Sequence, residues 1–401
     1  MTSTAAQMRA WRGSALLSYG FRPFFLGAAV WAALAMGLWL AMLTGRTVLP
    51  TAFDPVSWHA HAFLYGYLGA VIAGFMLTAV PNWTGRLPIV GWRLAILALI
   101  WLAGRAAVAF SAGLPPLLVA VVDLAFPVVF ALAVGREIVA GKNWRNLIVL
   151  AMLTVFIVGN AVFHWEAARG DYAAGGAGLR IGLGAALMMI AVIGGRIVPS
   201  FTRNWLAKRK SGRLPVPPMQ RFDKLALGVL LVSLLLWIAT PLSPWAGAAL
   251  VVAGVLHLGR LARWAGERTF AEPLVTVLHV GYAFLPFGAL LLGWAILVGN
   301  EPGRTAAQHL WMGGAIGLMT LAVMTRATLG HTGRSLHAGA ATLAIYAALV
   351  TSVLARVATV PWPGEAMLLY AVSAGLWFAA FAGFAAAYGP SLFRRPPGKA
   401  G

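Results

Sequence analysis

The chain of 401 residues carries eight histidines and no cysteine. Disulfides, thiolate metal sites and iron–sulfur clusters are therefore excluded, and a metal or haem must be held by His, Met, Tyr, carboxylate or backbone oxygen. His59, His61, His164 and His309 fall near the same ends of three apolar stretches. Each is within roughly 10 Å of the boundary of its stretch at 1.5 Å per residue. Four imidazoles at one depth in an apolar setting form a natural ligand set, because neutral imidazole is the commonest nitrogen donor to haem iron and copper. His59 and His61 are about 200° apart around a helix and cannot both face one metal. One can hold an iron while the other bonds a second group. Tyr65 stands four residues after His61 on the same helical face, as a packed aromatic or a further contact of the site. His257 and His279 lie on neighbouring stretches, each about 10 Å from the opposite boundary. They read either as a second metal site or proton relay, or as a satisfied hydrogen-bonded pair. His331 and His337 fall in the segment after the tenth stretch. Arg105 and Arg356 sit at the depth of the outer histidines, where a guanidinium can pair a haem propionate bidentately or snorkel to headgroups. Asp123 is the one deep carboxylate, fit to carry protons or to pair with an arginine.

The elements that must position these groups are membrane helices. Hydrophobic residues make up 61% of the chain and charged residues 10%, against about 25% charged in soluble domains. A soluble enzyme and a disordered chain are excluded on that ground. The apolar runs are continuous rather than alternating, which excludes a strand barrel. Twelve spans are expected: 23–44, 56–80, 93–112, 115–134, 146–165, 179–199, 223–240, 245–264, 272–298, 305–325, 338–357 and 364–388. Asp54-Pro55 reads as the N-cap and first-turn proline of the second. The fold class is thus all-α, a polytopic protein with one transmembrane domain over 23–390. Cytoplasmic tails are expected at 1–22 and 391–401, with no cleavable leader.

The net charge is +20, yet a nucleic-acid role is not expected, because the basic residues sit in short loops between spans. Twenty-four of the thirty Lys and Arg fall on the side of the termini, which places both termini in the cytoplasm. No phosphate-binding loop or dinucleotide fingerprint has the required strand–turn–helix setting. The glycines of spans 2, 6 and 10 are better read as close-packing positions.

A weak internal repeat runs through the spans. Thr84-Gly85-Arg86 after span 2 matches Thr332-Gly333-Arg334 after span 10, and at that offset His61 falls on His309. Val80-Pro81-Asn82 ending span 2 matches Val198-Pro199-Ser200 ending span 6. Three units of four spans are expected, at 23–135, 146–264 and 272–388. That plan is similar to the catalytic subunit of haem–copper oxidases, where histidines of the second and tenth helices hold one haem. By that fold analogy alone, His61 and His309 take those places.

Tyr19-Gly20-Phe21-Arg22-Pro23-Phe24-Phe25, Trp58-His59-Ala60-His61 and Val80-Pro81-Asn82-Trp83-Thr84-Gly85-Arg86 resemble motifs of the NnrS family. So do Gly194-Gly195-Arg196-Ile197-Val198-Pro199-Ser200-Phe201-Thr202-Arg203-Asn204 and Met324-Thr325-Arg326-Ala327-Thr328-Leu329-Gly330-His331-Thr332-Gly333-Arg334. The resemblance implies a bacterial inner-membrane protein with haem and copper, linked to nitric oxide, nitrosative stress and denitrification. It places His59, His61, His309 and His331 in the family's His motifs. The family commonly has an acid after the second His of the span 2 motif. Here that place is Ala62, so the role of that acid is either absent or passes to Asp54.

The resulting expectation is a b-type haem protein acting on nitric oxide, with His61 and His309 as axial ligands. His59 and His164 are the candidates for copper or a second haem, and a quinol or cytochrome is the electron donor. An oxidoreductase activity on nitric oxide, sensing and buffering are all open readings. The rivals are a secondary transporter, a haem electron-transfer or quinol-oxidising subunit, and an assembly factor that hands on haem or copper. Lipid is the remaining expected partner.

Overall fold

Proline and short polar residues start the helices. Asp54 caps its helix by accepting from Val56 N at 3.0 Å and Ser57 N at 2.9 Å, with Pro55 in the first turn. Asn300 caps another through Gly303 N at 2.9 Å, and Ser243 a third through Trp245 N at 3.3 Å. Such caps satisfy N–H groups that the first turn leaves without partners. In the computed structural model, which describes residues 12–86, 88–209 and 212–395, twelve helices are long and apolar enough to cross a membrane. They are α1 Phe21–Leu43, α2 Pro55–Thr84, α3 Trp92–Ala109, α4 Pro116–Ala140, α5 Trp144–Ala168 and α6 Ala177–Arg209. The remainder are α7 Arg221–Ala239, α8 Pro244–Arg268, α9 Pro273–Leu297, α10 Glu301–His331, α11 Ala340–Ala358 and α12 Pro363–Phe393. The protein is an all-helical polytopic membrane protein.

Packing divides the chain into two units. One comprises Met1–Gly182, Met324–Ser335 and Phe381–Gly401, and the other Leu183–Val323 and Leu336–Ala380. In the first, α2 is the central helix: 78% of its apolar window is buried, against 28–44% for α1, α3, α4 and α5. It packs on α1 and α4, with α3 and α5 flanking α4. In the second unit α9 is central, packed against α8, α10 and α6.

Among the described residues, three helices are interrupted by π-helical turns: α2 at Ala62–Tyr67, α6 at Ile190–Gly194 and α10 at Leu310–Leu318. A π turn takes carbonyls off the i→i+4 ladder, so they need other donors. Trp31 Nε1 donates to Ala62 O at 2.8 Å, and Trp101 Nε1 to Gly66 O at 3.0 Å. In the other unit Arg260 Nη1 donates to Ala191 O at 2.8 Å.

Two basic residues counted from sequence on the side of the termini are buried within the protein. Arg22 is 1% exposed and Arg260 0%. Arg22 Nη1 donates to the carbonyls of Ser391, Leu392 and Arg394 at 3.3, 2.7 and 2.9 Å, closing the end of α12. That helix runs to Phe393, three residues into the tail expected from residue 391. Arg9, Lys210 and Lys399, which also entered the topology argument, lie outside the described residues.

Candidate metal centre

Four helices of the first unit bring polar side chains to one point. His61 stands on α2 as its last α-helical residue before the π turn. Asp123 lies two turns into α4, and Asn160 and His164 share a face of α5 at i, i+4. Arg105 comes from the last turns of α3. Consecutive spans alternate in direction, so all five lie toward the side of the membrane opposite the termini. Asp123, mid-span over the expected 115–134, lies seven residues from the start of α4, which runs on to Ala140. It thereby reaches the depth of the outer histidines.

Asp123 Oδ2 accepts from Asn160 Nδ2 at 2.8 Å. The same oxygen lies 3.1 Å from His61 Nε2 and 3.0 Å from His164 Nε2. Asn160 Oδ1 lies 3.0 Å from His61 Nε2. The other carboxylate oxygen, Oδ1, is held by Arg105 Nη2 in an ion pair. All five residues are buried, His61 and Asp123 completely. Small residues permit the approach: at Gly104 a Cβ would lie 2.9 Å from Asp123 Oδ1, and at Gly66 it would collide with the Arg105 guanidinium.

One ligand atom from each of His61, Asp123 and His164 lies within 4.8 Å of the others, and this is the one such group of three among the described residues. Two imidazole nitrogens and a carboxylate oxygen at that spacing suit a small ion. His61 is committed to this cluster by one nitrogen, Nε2. Its Nε2 faces Asp123 and Asn160, and its ring is enclosed by Phe53, Tyr65, Phe163 and His164 at centroid distances of 5.8, 5.4, 5.5 and 5.1 Å.

The other residues singled out in the sequence lie elsewhere. His59 stacks on Trp39 at 4.5 Å and packs on Phe63, away from His61 as their spacing requires. Tyr65 donates to Gly178 O at 2.7 Å, so its hydroxyl is used in joining α2 to α6. Arg105, a candidate for a haem propionate, instead compensates Asp123. Arg356 lies over the Tyr370 ring at 4.8 Å and donates to Thr359 Oγ1. His257 and His279 do not bond each other. His257 lies 2.9 Å from the Tyr282 hydroxyl and 3.2 Å from Ala226 O, and His279 lies 2.8 Å from Thr202 Oγ1. His331 packs between Tyr19 and Phe21. His309 Nδ1 donates to Thr305 O at 2.8 Å. Asp54, the substitute considered for the missing span 2 acid, is the cap of α2. The carboxylate of the centre comes from α4. Asn160 was missed, although an amide one turn before His164 in an apolar span was a readable signal.

A buried His–Asp–His donor set within a bundle of apolar spans defines a polytopic membrane protein with a candidate metal centre. The chain belongs to the NnrS family: the family's profile, described as NnrS protein, matches residues 15–395. No curated protein matches it.

Proposed function

We propose that this protein holds a copper ion between His61, Asp123 and His164 and acts in nitric oxide handling and resistance to nitrosative stress. Its place is the bacterial inner membrane, with both termini cytoplasmic. The observation that carries the reading is the buried cluster of three ligand atoms within 4.8 Å of one another. Copper is favoured over other imidazole-seeking metals by membership of the NnrS family. Held by His61, Asp123 and His164, copper would supply one-electron redox chemistry toward a small diatomic molecule.

The chain's own residues set the conditions. Arg105 fixes one oxygen of Asp123, and Asn160 fixes the other, so the carboxylate cannot rotate. Phe53 and Phe163 flank both His61 and each other, which gives the cluster an apolar wall. The haem implied by the family belongs in this reading at His309. Its Nδ1 is anchored to Thr305 O, the outer-shell contact that orients a ligating imidazole. Quinol or a cytochrome is the proposed electron donor.

Metal analysis of the detergent-purified protein tests this directly. One copper per chain is expected, falling to background in His61→Ala and His164→Ala variants that still elute as monodisperse protein. Cells exposed to a nitric oxide donor should be rescued by the wild type and by neither variant. Full copper in both variants would falsify the assignment. Metal that exchanges freely with the medium would favour the transporter or assembly-factor reading instead.

A further inference from the structure

We propose that Arg105 makes this centre selective for a monovalent soft cation, cuprous copper, over divalent ions. The inference rests on the metal-binding reading of the His61–Asp123–His164 cluster.

The argument is one of charge. Asp123 is the single carboxylate of the cluster, and Arg105 already pairs with it. A guanidinium does not lose its proton in a protein. The other donors are two imidazoles and the Asn160 amide, neutral when they ligate. The centre therefore sums to zero before any ion arrives. Glu166, an acid of α5 near this end, is engaged at the start of α6: its carboxylate accepts from Ala177 N at 2.6 Å and Gly178 N at 3.1 Å.

An arriving ion thus keeps its whole charge uncompensated, next to a fixed guanidinium, at a site completely shielded from solvent at Asp123 and His61. The cost of burying a net charge rises with the square of that charge, and repulsion from Arg105 rises in proportion to it. A monovalent ion leaves one positive charge and a divalent ion leaves two. Imidazole binds copper well, so the coordination chemistry does not oppose the cuprous ion. Arg105 places a permanent cation on the one carboxylate of the centre.

The test uses the full-length protein in detergent, stripped of metal and kept anaerobic. Affinities for Cu⁺, against a chromophoric Cu⁺ chelator, and for Zn²⁺, against a zinc-binding dye, are measured for the wild type, Arg105→Lys and Arg105→Gln. The wild type and Arg105→Lys are expected to prefer Cu⁺. Removal of the charge in Arg105→Gln is expected to shift the Cu⁺/Zn²⁺ affinity ratio toward zinc by about tenfold or more, since it frees one unit of negative charge in a low-dielectric site. Wild-type protein that binds Zn²⁺ as tightly as Cu⁺ overturns the proposal, and this arm stands even where Arg105→Gln fails to fold. So does an unchanged ratio in a folded Arg105→Gln variant that binds both ions. Either result leaves the metal centre intact provided that His61→Ala and His164→Ala abolish binding. Absence of any ion from the wild type overturns both readings together.

Discussion

Asp123 carries four interactions on two oxygens, and the rest of the centre is arranged around it. Asp123→Asn removes the counter-charge of Arg105 while keeping shape. A buried guanidinium left without its carboxylate costs about 3–5 kcal/mol. A clearly lowered midpoint of denaturant unfolding in detergent is expected, and an unchanged midpoint would show that Arg105 finds another partner. The histidines separate by the partners of their nitrogens. His309→Ala is expected to abolish the haem Soret band, whereas His61→Ala keeps it and loses copper. That outcome differs from the shared His61–His309 haem expected from the repeat, and a Soret band lost in both variants would restore that pairing. The identity of the ligating residues was partly legible. His61 and His164 stood out as imidazoles at one depth, but so did His59, which stacks on Trp39 instead. Arg105 and Asp123 were visible as deep charges. That they neutralise each other was not, because α3 and α4 could have been rotated to face different neighbours.

The π turns explain how helices of ordinary sequence present groups at the centre. In α2 the turn begins immediately after His61, and its released carbonyls are taken by Trp31 and Trp101. Trp101→Phe keeps most of the packing but leaves Gly66 O without its donor in a buried setting. A loss of about 1–3 kcal/mol is expected, read as a lowered unfolding midpoint with a secondary loss of copper affinity. A midpoint equal to the wild type would mean that the π turn closes to regular helix. Nothing local in Ala62–Tyr67 announces the turn: it depends on indoles brought from α1 and α3. The π turns fall in α2, α6 and α10, every fourth span, the interval at which the sequence motifs recur. An internal repeat is our proposal on that basis. Helix ends were less legible than helix centres. The span expected to stop at 199 runs to Arg209, and the one expected to stop at 325 runs to His331. Hydropathy registers where a helix leaves the apolar layer, not where its hydrogen bonding ends.

For the whole molecule, an even number of spans puts both termini on one side, and Arg22 ties the start of α1 to the end of α12. Charge decides which side that is. Setting aside the buried Arg22, Arg105 and Arg260, the bias of basic residues still favours the side of the termini. Phosphatase fusions are expected to be inactive at residue 395 and active in the loop at 169–176. The opposite pattern would invert the topology and turn the metal centre toward the cytoplasm. The sequence by itself determined the number of spans, the all-helical class and the family motifs. Those signals are one-dimensional: hydropathy, charge placement and short identities need no knowledge of which helix touches which. The tertiary structure alone decided that His61 meets His164, Asn160 and Asp123, with Arg105 on the far oxygen. Those residues are spread over about a hundred positions on four helices, and their meeting depends on helix rotation, glycine-permitted approach and lateral neighbours. No periodicity within any single span encodes that.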